Sequence, residues 1–99
     1  MNKMMKEARK VQEQIVQMQE ELRQREMVVT SGGGAVTVRV NGKQEILSLK
    51  IAPEAVDPDD VEMLEDMVMA AVNEALRLGE ETREKTMAAL APGGMGGLL

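Results

Sequence analysis

Hydrophobic and polar positions follow two different rhythms along this chain. Met4, Ala8, Val11, Ile15, Met18 and Leu22 recur at intervals of 4, 3, 4, 3 and 4. That is the period of a coiled-coil seam, and it predicts a helix from Asn2 to about Arg25. Gln12, Gln14, Gln17, Gln19 and Gln24 make its other faces polar and weakly charged. The period then drops to two. Val36, Val38 and Val40 alternate with Thr37, Arg39 and Asn41, and Leu47, Leu49 and Ile51 alternate with Ser48 and Lys50. Alternation of this kind marks strands with one buried and one wet face. Three strands are expected, at 26–31, 35–41 and 44–52. The helical period returns in Val61, Leu64, Val68, Ala71, Ala75, Leu78 and Thr82, widened by Met63, Met67 and Val72.

Local signals punctuate these elements. Ser31-Gly32-Gly33-Gly34 reads as a hairpin connection in which glycine takes positive φ. Asn41-Gly42 is a second hairpin signal. A two-residue loop or a four-residue loop (Asn41 to Gln44) keeps the valines on the face of Leu47, Leu49 and Ile51, and a one-residue slip does not. The four-residue loop is preferred, with Val38 opposite Leu47 and Val36 opposite Leu49. Asp57 is expected to cap the second helix, with Pro58 at its first position. Gly79 interrupts that helix at a cost of about 1 kcal/mol relative to Ala. The helix is expected to run to about Leu90, and 91–99, with Pro92 and four glycines, to form a flexible tail.

The expected architecture is therefore α+β, an α-β-β-β-α protomer with a three-stranded antiparallel sheet, in one domain over 1–90. The first helix is about 35 Å long, and three strands span only about 15 Å. At least one helix end must overhang the sheet or find a partner subunit. The first helix's seam is expected to pack against the second helix of the same chain.

Composition narrows the chemistry. The chain has no aromatic residue and ten methionines, so its core is built from Val, Leu, Ile, Ala and Met. It has neither His nor Cys, which removes the usual zinc site and the Ser-His and Cys-His nucleophiles. The glycine run lacks the following helix and Lys-Ser/Thr of a phosphate loop. Asp57-Pro58-Asp59-Asp60 lacks the oxygen ligand and glycine that a calcium loop needs next. No enzyme, cofactor, metal or small-molecule substrate is expected, and no apolar run is long enough for a membrane span.

The formal net charge is −5, but it is unevenly distributed. Six acids and no base fall within 57–66, where they complement a helix N-terminus. Lys3, Lys6, Arg9 and Lys10 crowd the start of the first helix, where the dipole disfavours cations. If the two helices pair antiparallel, these four lie at a distal tip near Arg83 and Lys85, with Arg77 lower down. That cluster is the candidate nucleic-acid contact. The competing reading is a prefoldin-like holdase or other helical interaction module, in which exposed Met1, Met4 and Met5 hold apolar clients.

Four stretches bear a family likeness: Gly32 to Val38, Val40-Asn41-Gly42, Leu49-Lys50-Ile51-Ala52-Pro53-Glu54, and Leu64-Glu65-Asp66-Met67-Val68-Met69-Ala70-Ala71-Val72-Asn73-Glu74-Ala75. With Asp57-Pro58 between the last two, the chain resembles the YbaB/EbfC family of bacterial nucleoid-associated proteins. The resemblance covers nearly the whole chain. It implies a tweezer-shaped homodimer with helical prongs, binding of double-stranded DNA that alters its conformation, and a cytoplasmic, nucleoid location. It brings no catalytic motif.

Overall fold

The structure, a computed structural model, describes residues 2–90. The elements run α1 (Asn2–Gln24), β1 (Glu26–Ser31), β2 (Val36–Asn41), β3 (Ile46–Ile51), a short 3-10 turn at Pro53–Ala55, and α2 (Val61–Leu90). The strands form one antiparallel sheet in the order β1-β2-β3. This is the expected α-β-β-β-α order. The expected tail at 91–99 lies outside the described residues.

The valine alternation on β2 decides where the core sits. Val36, Val38 and Val40 are fully buried on the central strand. Val29 lies opposite Val38, and Met27 opposite Val40. Ala71 and Ala75 of α2 are buried against this face, with Leu64, Met67, Val68, Val72 and Leu78 packed around them. Small alanines let the helix axis approach the sheet closely, and branched valines fill the space between. Polar ties fix the crossing: the Ser31 hydroxyl donates to the Met67 carbonyl at 2.7 Å.

Two turns settle the sheet. Gly32, Gly33 and Gly34 all take left-handed φ, as the first hairpin requires. The second differs from expectation. Asn41 is completely buried, and its side-chain oxygen accepts from the amides of Lys43 (3.0 Å) and Glu45 (3.1 Å). Its amide group donates to the Glu45 carboxylate at 2.8 Å. The asparagine side chain thus draws Glu45 into the loop, and β3 starts only at Ile46. Val38 consequently lies opposite Leu49 and Val36 opposite Ile51, two residues from the expected register. An irregularity beside Arg39 and Val40 pairs Arg39 with Ser48 and Val40 with Ile46, leaving Leu47 as the extra residue. Left-handed φ falls on Gln44 (φ 60), not on Gly42.

The start of α2 is also displaced from expectation. Asp57 anchors a turn instead, its carboxylate accepting from the Asp59 amide at 2.9 Å and its carbonyl from the Asp60 amide at 2.9 Å. Asp60 is the cap, accepting from the Met63 amide at 3.2 Å. Pro58 serves the turn, a position its fixed φ suits equally well.

Candidate nucleic-acid interface

α1 divides in two. Every residue from Asn2 to Gln17 is exposed, whereas Met18 and Glu21 are half-buried and Leu22 is buried. The last turns are held firmly. The Gly42 amide donates to the carbonyls of Leu22 (2.9 Å) and Arg25 (3.0 Å), satisfying acceptors that a helix end leaves orphaned. A Cβ on Gly42 would stand 3.0 Å from both the Leu22 carbonyl oxygen and its Cδ2. Glycine is needed there for close approach, a role that its place in a hairpin signal did not reveal. Glu20 with Arg23 (3.0 Å) and Glu21 with Arg25 (2.8 Å) brace the same turns.

The rest of α1 is an arm. The molecule extends 68 Å along its long axis, while α2, with 30 residues, is only about 45 Å long. The arm accounts for the excess. Its sequence is helical by propensity, being rich in Met, Lys, Glu, Gln and Arg. The seam residues Met4 (75% exposed), Val11 (55%) and Ile15 (45%) stay open to solvent. The expected packing of the whole seam on α2 is therefore not formed. The reason lies in α2, whose apolar face through Leu78 is spent on the sheet. Beyond Gly79 its sequence is dominated by charge up to Lys85.

The structure does not gather the seven candidate cations at one tip. Lys3, Lys6, Arg9 and Lys10 lie along the exposed arm, and Lys10 is already about 18 Å of helix from Leu22. Arg77, Arg83 and Lys85 belong to the body. Their charge is engaged: Arg77 pairs with Glu74 and with Glu81 (3.1 Å), Arg83 with Glu80 (3.3 Å), and Lys85 with Glu81 (2.8 Å). The hydrogen bond from Lys85, then its charge, holds the Glu81 carboxyl below the ordinary carboxylate range, with Arg77 adding to the effect. The Arg77 hydrogen bond does the same for Glu74. Among the described residues, none of Lys3, Lys6, Arg9 and Lys10 forms an ion pair. The arm thus offers four uncommitted cations within two turns of helix.

Gly79 was legible only as a helix defect. It is buried where α2 crosses the β2–β3 loop, and a Cβ would stand 3.0 Å from the Asn41 carbonyl oxygen and from Gln44 Cγ. Gln44 in turn donates to the Leu76 carbonyl at 3.1 Å. Gly42 and Gly79 therefore clamp the loop between the two helices and aim the arm.

One further surface stands open. α2 lies over β1 and β2, leaving Ile46, Leu49 and Ile51 of β3 36–40% exposed. Ile51 forms an apolar groove with Leu64, Val68, Met69 and Val72. β3 is also an edge strand with unpaired backbone groups.

Residues 1–95 match the profile described as the YbaB/EbfC DNA-binding family. A nucleoid-associated protein of Clostridium novyi is 51% identical over 92 residues, covering 93% of this chain and 81% of the relative. One from Desulforamulus reducens is 55% identical over 93 residues, covering 94% and 89%. Among solved structures, an uncharacterized protein from Helicobacter pylori superposes with a TM-score of 0.65 at 27% identity, covering 79% of this chain and 90% of that one.

Proposed function

The chain belongs to the YbaB/EbfC DNA-binding family, and we propose that it is a nucleoid-associated protein that grips double-stranded DNA with the α1 arm. The observation that carries this is the arm itself: four cations, unpaired among the described residues, on an exposed helix. Phosphate contacts by Lys and Arg supply affinity without reading sequence. The chain has no aromatic side chain to stack on bases, so selectivity is expected to be low. The acidic start of α2 repels a polyanion and leaves the arm as the favourable approach.

The protein acts as a homodimer in this reading. The groove between β3 and α2 is apolar and open, and a second copy seated there covers Leu49, Ile51, Val68 and Met69. Two arms on one dimer hold two places on a duplex and so change its path. Its place is the nucleoid of the cytoplasm, with roles in nucleoid organisation and gene regulation. Cofactors and small-molecule substrates have no part in it. The holdase reading draws on exposed Met4 and Met5, but the unpaired cations favour DNA.

A salt-titrated gel shift with two unrelated duplexes tests the proposal. Micromolar binding at physiological salt, alike for both duplexes and falling steeply with salt, is expected of non-specific complexes. Salt-independent binding, or suppression of client aggregation without DNA binding, would overturn it. Sedimentation at micromolar concentration tests the dimer, which a lone 10.8 kDa species would exclude.

A further inference from the structure

The arm's charges are sorted around its axis in a way that DNA binding alone does not require. Met4, Ala8, Val11 and Ile15 form one stripe, the free part of the seam that continues into packed Met18 and Leu22. At about 100° per residue, Lys6 and Glu13 lie on the opposite side of the helix. Lys3, Arg9 and Lys10 fall beside them, away from the stripe. The positions flanking the stripe are Met5, Gln12 and Gln19 on one side and Glu7, Gln14 and Glu21 on the other. No cation stands at a flank. In a paired helix those flanks meet the partner's flanks and decide which partner is admitted.

We propose that the free stripe of α1 is a weak coiled-coil seam that pairs with the α1 arm of a second copy, leaving the cations of both helices facing outward. The charge pattern selects this occupant. Two arms, each carrying a surplus of cations, would ordinarily repel. Here the cations sit behind the seam, and the flanks of the free stripe (Met5 and Gln12, Glu7 and Gln14) carry one acid and no cation, which lets like approach like. A strongly acidic partner helix would find no basic flank to recognise. Length sets the strength. The stripe from Met4 to Ile15 is about 17 Å of helix, short for a stable interface by itself, so pairing is reversible and rises with local concentration. Copies crowded along one duplex, or on two neighbouring duplexes, supply that concentration. The pairing itself does not depend on the DNA-binding reading and is tested without DNA.

The absence of cysteine makes the test clean. Ala8→Cys and Val11→Cys place a thiol in the stripe, and Glu13→Cys places one on the opposite face. All three positions are exposed in the chain, so folding is unaffected. The full-length variants are oxidised with diamide, singly and with the first two mixed. Pairing predicts a disulfide-linked species of twice the chain mass from the stripe variants alone if the helices are parallel, or from their mixture if antiparallel. Glu13→Cys should give several-fold less. Adding Ile15→Asp to the stripe variants should abolish the linked species while leaving the helical circular dichroism signal unchanged. Equal linkage at Glu13→Cys, or no linkage in any stripe combination, would overturn the proposal. Leu49→Cys, on exposed β3 beside the groove, reports the base dimer separately.

Discussion

The arm of α1 and the C-terminal half of α2 are both charged helices, yet their cations are in different states. On α2, Arg77, Arg83 and Lys85 are each held by a glutamate three or four residues away. On the arm, Lys3, Lys6, Arg9 and Lys10 have no such partner among the described residues. Acid is present in both places, so composition does not explain the difference. Order contributes. In the body the acid comes first in most pairs, Glu74-Arg77, Glu80-Arg83 and Glu81-Lys85, with Arg77-Glu81 the reverse, and it also comes first in Glu20-Arg23 and Glu21-Arg25 at the base of α1. In the arm the base comes first in Lys3-Glu7 and Arg9-Glu13, while Glu7-Lys10 has the acid first at a spacing of three. The acid-first order is the more favourable one on a helix. A cation count therefore overstates what α2 can offer a polyanion, and the arm is where the charge is available.

The same contrast predicts where substitutions should matter. The largest stability effect is expected in the body, at Gly79. Elsewhere in a helix, replacing Gly gains up to about 1 kcal/mol. Here Gly79→Val drives a branched side chain into the Asn41 carbonyl and Gln44, and should cost about 1–3 kcal/mol, the range of overpacked sites. A raised thermal midpoint would show that the clamp is not tight. Next comes the junction. Gly42→Val must displace Leu22 and disturb the two carbonyl contacts that cap α1. A loss of about 1–3 kcal/mol is expected, together with faster amide exchange in the last turns of α1. An unchanged midpoint would mean that the arm is not anchored there. In the arm itself, Val11→Gln with Ile15→Gln should shift stability by no more than about 0.5 kcal/mol, as at other exposed sites. A large loss would reveal a buried seam.

The smallest effect concerns pH. The Asn41 hydrogen bond lowers the Glu45 carboxyl from its ordinary 4.5, helped by Lys43 and Arg23 and opposed by desolvation. Its folded pKa is below its unfolded one. The stabilisation is therefore present above pH 4.5 and fades as pH falls through the lowered value. Thermal melts of Glu45→Gln and the parent should converge in acid and separate slightly at neutral pH. Divergence on acidification would contradict the sign.

Much of the fold was legible because hydrophobic period is a local property. The 4,3 spacing of α1, the valine alternation of β2 and the seam pattern of α2 each name their element without reference to the rest. What was not legible depends on contacts distant in sequence. The register of β3 turns on the buried Asn41 side chain, which collects the Lys43 and Glu45 amides and lengthens the loop. Gly42 and Gly79 carry no mark of the backbone that approaches them. The heptad seam of α1 says that a partner is wanted but not which, and α2 had already spent its apolar face on the sheet. The candidate cations were visible as residues, but their division into free and engaged sets appears only with the ion pairs.

The central claim is that the arm's free cations, not the engaged cations of α2, hold DNA. The direct test is the salt dependence of binding to one duplex for two variants. One carries Lys3→Gln, Lys6→Gln, Arg9→Gln and Lys10→Gln, and the other carries Arg77→Gln, Arg83→Gln and Lys85→Gln. Each phosphate contact contributes about 0.9 to the slope of log affinity against log salt, so the arm variant should flatten that slope by up to about 3.6 for each arm engaged. The α2 variant should keep most of the parent's slope and affinity. If the α2 variant loses the slope while the arm variant keeps it, the account is wrong.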